Sequence, residues 1–341
     1  MKGPNVLAVV FDDLGFSDFG CFGSSIATPS VDALASSGVR FSNFTATPLC
    51  SPTRAALLTG RNQHAVGMGS IVQFAGSDPG YTGVIPDSAR MLPRLLRDSG
   101  YGTFAVGKWH LAPSHETGPA GPFGRWPIGQ GFDRFYGFLP GKSDHWRPEI
   151  AIGNEIVGPP DDLDGYHLTT DLADQTIRMI ADHLGGRPDD PFFGYLSFGA
   201  VHSPHHAPAE FIEMYRGAFD HGWDVERQMR FERQVELGLF PASTTPAPRN
   251  EDVVAWDQMP PIEKAASTKF MEAFAGFLTH ADQQLGRVLA FLDRSGAADE
   301  TIVVVLSDNG ATDAGKIHGS LNEERILNRL SESAESRSAM P

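Results

Sequence analysis

With only two cysteines, Cys21 and Cys50, in 341 residues, the chain has neither a disulfide framework nor a cysteine-built zinc site. Positive charge is also scarce. There are 27 Lys and Arg against 42 Asp and Glu, a formal net charge of −15. Such a chain has no overall charge to hold it on nucleic acid or an anionic membrane, and neither is expected as a partner. Long apolar runs are missing too: none approaches the roughly 18–20 residues that cross a bilayer. The first run, residues 6–11, stops at Asp12-Asp13 and is too short for a signal-peptide core. The sequence is therefore read as cytoplasmic, or as periplasmic had a leader been removed. The 37 Gly and 25 Pro fall without a period, which excludes collagen-like and low-complexity chains.

What is present is ordinary globular material, 41% hydrophobic and 20% charged, enough for a sizeable core. Residues 5–11 form a continuous apolar run of strand length, as a buried parallel strand should. Strands are also predicted over 39–44, 101–106, 192–198 and 301–306. Helices are predicted from 28, opened by Thr28-Pro29-Ser30 and stopped by Gly38, and from 51 to the stop at Gly60. Others are predicted around 91–96 and 170–184, and over 264–292 as one long helix or two. Strands alternate with helices and hairpin signals are few. The fold class is α/β, with a mainly parallel sheet flanked by helices on both faces. Ligands of such sheets sit beyond the carboxyl ends of the strands.

At those ends lie the residues with chemistry. Asp12-Asp13 follows the first strand and Ser307-Asp308-Asn309-Gly310 the last. Taken singly these are common turn residues. Together at one sheet edge they are a set of hard oxygen donors suited to Ca²⁺, Mg²⁺ or Mn²⁺ rather than zinc. Without a cation, clustered carboxylates would raise one another's pKa. Cys50 lies at or just before a helix N-terminus, where an acidified, reactive thiol is expected, against the plainer reading of a buried thiol. Arg54, a turn later, can present its planar fork to an oxyanion or a metal-bound carboxylate. Lys108 and His110 stand two apart in an extended segment and are expected on one face. His202 opens a segment that also holds His205 and His206, which are read as surface histidines. His64, His145, His167 and His183 have no partner that the sequence names.

Cys50-Ser51-Pro52-Thr53-Arg54, continued by Leu57-Leu58-Thr59-Gly60, fits the C-x-P-x-R signature of the sulfatase family of the alkaline phosphatase superfamily. Asp12-Asp13-Leu14-Gly15, Gly107-Lys108-Trp109-His110, the His202 segment and Ser307-Asp308-Asn309-Gly310 resemble that family's other blocks in the same order. The resemblance runs from about residue 4 to 312 and is greatest to the bacterial cytosolic arylsulfatase branch. It implies an alkaline-phosphatase-like fold in which Cys50 is oxidised to formylglycine by a formylglycine-generating or anaerobic maturation enzyme. It implies one divalent cation, Ca²⁺ with Mg²⁺ as the alternative, held by Asp12, Asp13, Asp308, Asn309 and the residue at Cys50. Arg54 would steady the formylglycine diol. Lys108 and His110 would stand beside nucleophile and sulfate, and His202 beside the leaving group. A diol can attack sulfur and then expel sulfate as the aldehyde re-forms, where a serine would remain a stable ester.

The expected substrate is a small sulfate monoester, aryl rather than a bulky glycan, with Trp109, Trp126 and Phe138 as candidate lining residues. Family members continue past the last metal-ligand strand into a further subdomain carrying a second active-site lysine, and Lys316 comes too early to match it. The chain is therefore expected to be a shortened sulfatase. Residues 1–312 form its N-terminal catalytic domain and 313–341 a polar tail, helical over 322–330 and unstructured over 331–341. Lower activity and an open sheet edge are expected with it. Two rivals remain: an inactive remnant that binds anions or metal, and a phosphonate or phosphodiester hydrolase on the same scaffold. Oligomeric state cannot be read from the sequence.

Overall fold

The structure is a computed structural model that describes residues 3–160, 162–313, 315–322, 324–325, 328–330 and 332–338. Its strands are β1 (Asn5–Phe11), β2 (Gly102–Lys108), β3 (Arg134–Phe138), β4 (Ile150–Ile152), β5 (Glu155–Gly158), β6 (Phe192–Ser197) and β7 (Thr301–Ser307). The main helices are α1 (Pro29–Ser37), α2 (Cys50–Thr59), α3 (Leu92–Asp98), α4 (Leu168–Gly186), α5 (Ala209–Glu213), α6 (Gly222–Glu236) and α7 (Pro261–Arg294). The predicted 264–292 segment is thus one helix. The strands form one seven-stranded sheet in the order β5-β4-β3-β2-β6-β1-β7. The pairs from β3 to β7 are parallel, and β4 and β5 add an antiparallel edge. This is the α/β, mainly parallel architecture expected.

The chain divides into two compact units. The first is Met1–Leu14, Thr45–His202 and Gln284–Gly310; the second is Gly15–Phe44, Ser203–Gln283 and Ala311–Pro341.

The first unit holds the sheet. Side chains of both parities along β1 are buried: Leu7, Val9 and Phe11 on one side, Ala8 and Val10 on the other. That is why the strand reads as an unbroken apolar run rather than an alternation. Ala8, Val10, Ala105, Phe193 and Tyr195 share an apolar cluster with Ala55 and Leu58 of α2 and with Met91, the residue before α3. Helix α4 packs along β2, β3 and β6. Phe132 is fully buried, stacked on Phe193 with centroids 5.9 Å apart and edge-on to Trp109 at 6.1 Å. Gly107 carries a φ of +101°, and a Cβ there would lie 1.8 Å from the Ser197 carbonyl oxygen. Only glycine lets β2 approach β6 this closely one residue before Lys108.

In the second unit, Asp282 of α7 accepts hydrogen bonds from the Ser30 and Val31 amides, 2.9 Å each, and so caps α1. Residues 39–44 form no strand. Val39, Phe41 and Phe44 are 78%, 68% and 62% exposed, and Arg40 is tied to the Cys21 carbonyl at 2.6 Å. This β-prone run finds no partner strand, and tertiary context overrides its propensity. In the tail, residues 323, 326 and 327 of the helix expected over 322–330 lie outside the described residues. Within 331–341, expected to be unstructured, Ala334–Ser338 is a short helix whose Arg337 pairs with Glu263 at 2.6 Å. Among the described residues no helix is long and apolar enough to cross a membrane.

Replacing Phe132 by Ala removes the ring that joins Trp109, Phe193 and Tyr195. The expected loss is about 3–5 kcal/mol, read from urea unfolding. A loss under about 1 kcal/mol would contradict this packing.

Candidate active site

Strand register builds the site. Phe11 pairs with Ser307 and Val10 with Ser197, while Gly107 also faces Ser197. The carboxyl ends of β2, β6, β1 and β7 therefore bring Lys108, Ser197, Asp12 and Asp308 into one row. The Asp308 amide donates to the Phe11 carbonyl at 3.0 Å, continuing the ladder one step past the strands. Asp12 donates its amide to Ala200 and accepts from Val201, which anchors the segment leading to His202. Asp13 turns out of the strand at φ +59°, and its amide donates to Asp308 Oδ1 at 3.2 Å.

Cys50 is the first residue of α2, with Leu49 as its N-cap, and Gly60 ends the helix at φ +63°. One donor atom each from Asp12, Asp13, Cys50 and Asp308 lies within 4.8 Å of all the others, and all four residues are buried. Asn309 joins them. Its Nδ2 donates to Asp13 Oδ1 at 2.7 Å, which leaves Oδ1 as its remaining acceptor. Asp12 Oδ1 and Asn309 Oδ1 are both buried without a hydrogen-bond partner among the described residues. An orphaned carboxylate oxygen in a fully buried site is costly unless a cation satisfies it. The donors are hard oxygens apart from Cys50, so the residues present fit Ca²⁺ or Mg²⁺.

Two cations already stand in the row. Arg54, fully buried, places Nε and Nη2 at 3.0 and 2.7 Å from Asp308 Oδ2. Its Nη1 donates to the Lys108 carbonyl, Tyr195 Oη and Ser197 Oγ. Of the two roles open to Arg54, the structure places its fork on a candidate metal-ligand carboxylate. Lys108 Nζ lies 2.6 Å from Asp12 Oδ2. Burial opposes the charge on both, yet Tyr195 and Asp308 around Arg54, and Asp12 beside Lys108, keep them cationic. Burial would also raise Asp308, but Arg54 and Lys108 hold it below the usual carboxylate range. Asp12, buried and next to ionised Asp308, is pushed up to about 7. Arg54 and Lys108 thus balance Asp308 and Asp12 one for one, and the third carboxylate of the cluster, Asp13, is what a divalent ion would meet in addition.

The expected acidification of Cys50 does not occur. Burial raises the thiol far above its ordinary value, and Asp12, Asp308 and Asp13 add to burial, against Lys108. The helix N-terminus and one ammonium are outweighed by desolvation and three carboxylates. His110 is reached through a left-handed backbone, φ +55°, rather than by strand alternation with Lys108. Its amide donates to Leu139 at 3.0 Å and its carbonyl accepts from Ser51 Oγ at 2.8 Å. Burial, with Lys108 and Arg54 nearby, drives its pKa well below the ordinary histidine value. His202 is half-buried, with Nε2 3.6 Å from Asp13 Oδ2.

Other histidines serve the scaffold. His167 caps α4 by accepting from the Thr169 amide, His145 contacts Thr169 Oγ1, and His183 meets the Asp190 carbonyl. Trp109, Trp126 and Phe138 are at most 1% exposed and belong to the core, which corrects the expectation that they line a substrate pocket. Tyr195 and Ser197, which hold Arg54, were not singled out in the sequence. They lie inside the apolar run of β6, and only the register with β1 and β2 reveals them.

A sulfatase family model matches residues 4–326. An uncharacterised sulfatase of Schizosaccharomyces pombe is 35% identical over 332 residues, covering 91% of this chain and 58% of that protein. The arylsulfatase of Klebsiella aerogenes is 29% identical, with 91% and 67% covered. The solved structure of Ps i-CgsB superposes with a TM-score of 0.66 at 26% identity, over 91% of this chain and 59% of the other. The chain thus spans 58–67% of the length of these relatives. The family model, the relatives and the alkaline-phosphatase-like sheet agree: the chain belongs to the sulfatase family.

Proposed function

We propose that this chain hydrolyses sulfate monoesters, with aryl sulfates as substrates, at the site built from Asp12, Asp13, Cys50, Arg54, Lys108, His110, His202, Asp308 and Asn309. Cys50 is carried as formylglycine, made by a dedicated maturation enzyme, and one oxygen-ligated divalent cation, Ca²⁺ before Mg²⁺, is held by Asp12, Asp13, Asp308, Asn309 and the residue at position 50. The observation that carries this reading is the buried cluster in which Asp12 Oδ1 and Asn309 Oδ1 have no hydrogen-bond partner among the described residues. The arylsulfatase among the relatives supports the aryl preference.

A cation held by Asp12, Asp13, Asp308 and Asn309 would supply fixed positive charge to the site. Formylglycine supplies a hydrated aldehyde, and so an oxygen nucleophile, where the Cys50 thiol would stay protonated and inert. The chain does the rest. Arg54 keeps Asp308 ionised and fixed. Lys108 and the α2 N-terminus add positive charge where a sulfate would sit, stabilising charge that builds in the transition state. His110, kept neutral by burial and its cationic neighbours, is the proton acceptor beside position 50. His202, partly open to solvent, is the donor to the leaving oxygen.

The direct test is protein produced with a maturation enzyme, loaded with Ca²⁺ and offered an aryl sulfate, a sulfated saccharide, an aryl phosphodiester and a phosphonate. Aryl sulfate should turn over fastest, and the Cys50 peptide should have lost its sulfur by mass spectrometry. Faster turnover of the phosphorus esters, or sulfate hydrolysis with Cys50 unmodified, would overturn the reading.

The sign of the pH response follows from Asp12. Its folded pKa, about 7, exceeds the ordinary 3.8. Without metal, the folded chain holds an extra proton between those values. The stability this contributes is complete below the lower value and lost as pH rises through the upper one. Metal-free wild type should therefore lose stability relative to Asp12→Asn as pH rises from about 5 to 8. Saturating Ca²⁺ competes with that proton and should reverse the trend. Thermal melts of both proteins across pH, with and without Ca²⁺, check this; identical slopes with and without the ion would contradict it.

A further inference from the structure

His110 has a partner that its sequence neighbourhood does not reveal. Gln73, in the turn Val72–Phe74, places Oε1 2.8 Å from His110 Nε2. The turn is held by buried Val72, which sits in the apolar cluster beneath, and by the Phe74 amide donating to Ile71 at 2.9 Å. Gln73 itself is exposed, while His110 is 3% exposed. Gly141 also lies against the ring. A Cβ there would sit 2.7 Å from His110 Cε1 and 2.9 Å from Nε2, closer than atoms pack. Gly141 does not have a left-handed φ, so the imidazole, not the backbone, demands the missing side chain. The second ring nitrogen, Nδ1, is buried with no hydrogen-bond partner among the described residues.

We propose that Gln73 and Gly141 form a clamp that fixes His110 as the Nε2–H tautomer, leaving the Nδ1 lone pair bare as the proton acceptor of the site. A neutral imidazole carries one N–H. With the proton on Nε2, Gln73 Oε1 accepts it. With the proton on Nδ1, Gln73 would have to turn its amide to donate to Nε2, and a buried Nδ1–H would have no partner among the described residues. Besides burial, the fixed cations that act on His110 include Lys108 and Arg54. Near fixed cations a bare lone pair is favoured over an outward N–H. Gln73 is thus a positioning residue, acting through His110, and Gly141 leaves room for the ring. The functional consequence rests on the sulfate-ester reading above; the tautomer itself does not.

The test separates the two. Nitrogen NMR of histidine-labelled, unmodified protein reads the tautomer without any turnover. Wild type should show the Nε2–H form of His110. Gln73→Met should lose that preference, and Gln73→Glu, which still accepts, should keep it. In matured protein Gln73→Met should lower kcat by roughly 10–100-fold, as loss of a histidine-orienting partner does. KM should be much less affected and the melting temperature nearly unchanged, because the residue is exposed. Gln73→Glu should restore most of the rate. Gly141→Ala, which keeps Gln73 but displaces the ring, should also lower kcat. A wild-type Nδ1–H form, or Gln73→Met with tautomer and kcat intact, would overturn the clamp. Matured wild type with the expected tautomer but no sulfate hydrolysis would overturn the functional reading and leave the clamp standing.

Discussion

Two carboxylates, Asp12 and Asp308, lie fully buried at the ends of adjacent parallel strands, and the arrangement of the site follows from how that charge is held. Taking ions out of water costs several kcal/mol each unless partners replace the lost solvation. Arg54 meets Asp308 and Lys108 meets Asp12 at 2.7 and 2.6 Å. These pairs account for the position of Arg54 one turn into α2, for the hydroxyls of Tyr195 and Ser197 beneath its Nη1, and for Gly107, which lets β2 close on β6. What the two cations leave is a third carboxylate, Asp13, and an Asp12 Oδ1 that accepts no hydrogen bond among the described residues and has Arg54 no nearer than 4.0 Å, and together these are the strongest physical argument for a divalent ion.

The geometry depends on register more than on any single contact. Asp12 and Asp308 are 296 positions apart, yet pairing of Phe11 with Ser307 makes them neighbours. A slip of one residue would turn every side chain of a strand to the opposite face. Burial of both parities along β1 and β6 resists such a slip. The apolar run that marks β1 in the sequence is thus also what aims Asp12 and Asp13 into the site. Asp13 and His110, both with left-handed backbones, store local strain there that the surrounding hydrogen bonds hold in place.

Much of this was legible in the sequence because parallel strands and their carboxyl ends carry strong local signals. The runs before Asp12 and Asp308, the Pro and Gly that bracket α2, and the C-x-P-x-R spacing named the site residues that the structure then gathers. Other parts were hidden for physical reasons. β3, β4 and β5 are short, and β3 includes Gly137, so their periodicity is weak. α6 is crowded with charged residues, from Asp224 to Glu236. Residues 39–44 look like a strand but lack a partner. The Cys50 thiol was expected to be acidic from its helix terminus alone, a local argument that burial, and after it three carboxylates at the ends of β1 and β7, reverse. Gln73 is 37 residues from His110 in an unremarkable Val-Gln-Phe stretch. Only the folded turn shows that it reaches the ring.

The central claim is that Asp12 Oδ1 and Asn309 Oδ1, which have no hydrogen-bond partner among the described residues, mark the seat of one divalent cation. Crystals of the metal-depleted protein equilibrated with Mn²⁺, an anomalous scatterer that accepts the same oxygen ligands, test it most directly. The account predicts a single anomalous peak within bonding distance of Asp12 Oδ1 and Asn309 Oδ1, flanked by Asp13 and Asp308. A strong peak elsewhere in the chain, with none at these oxygens, would contradict it.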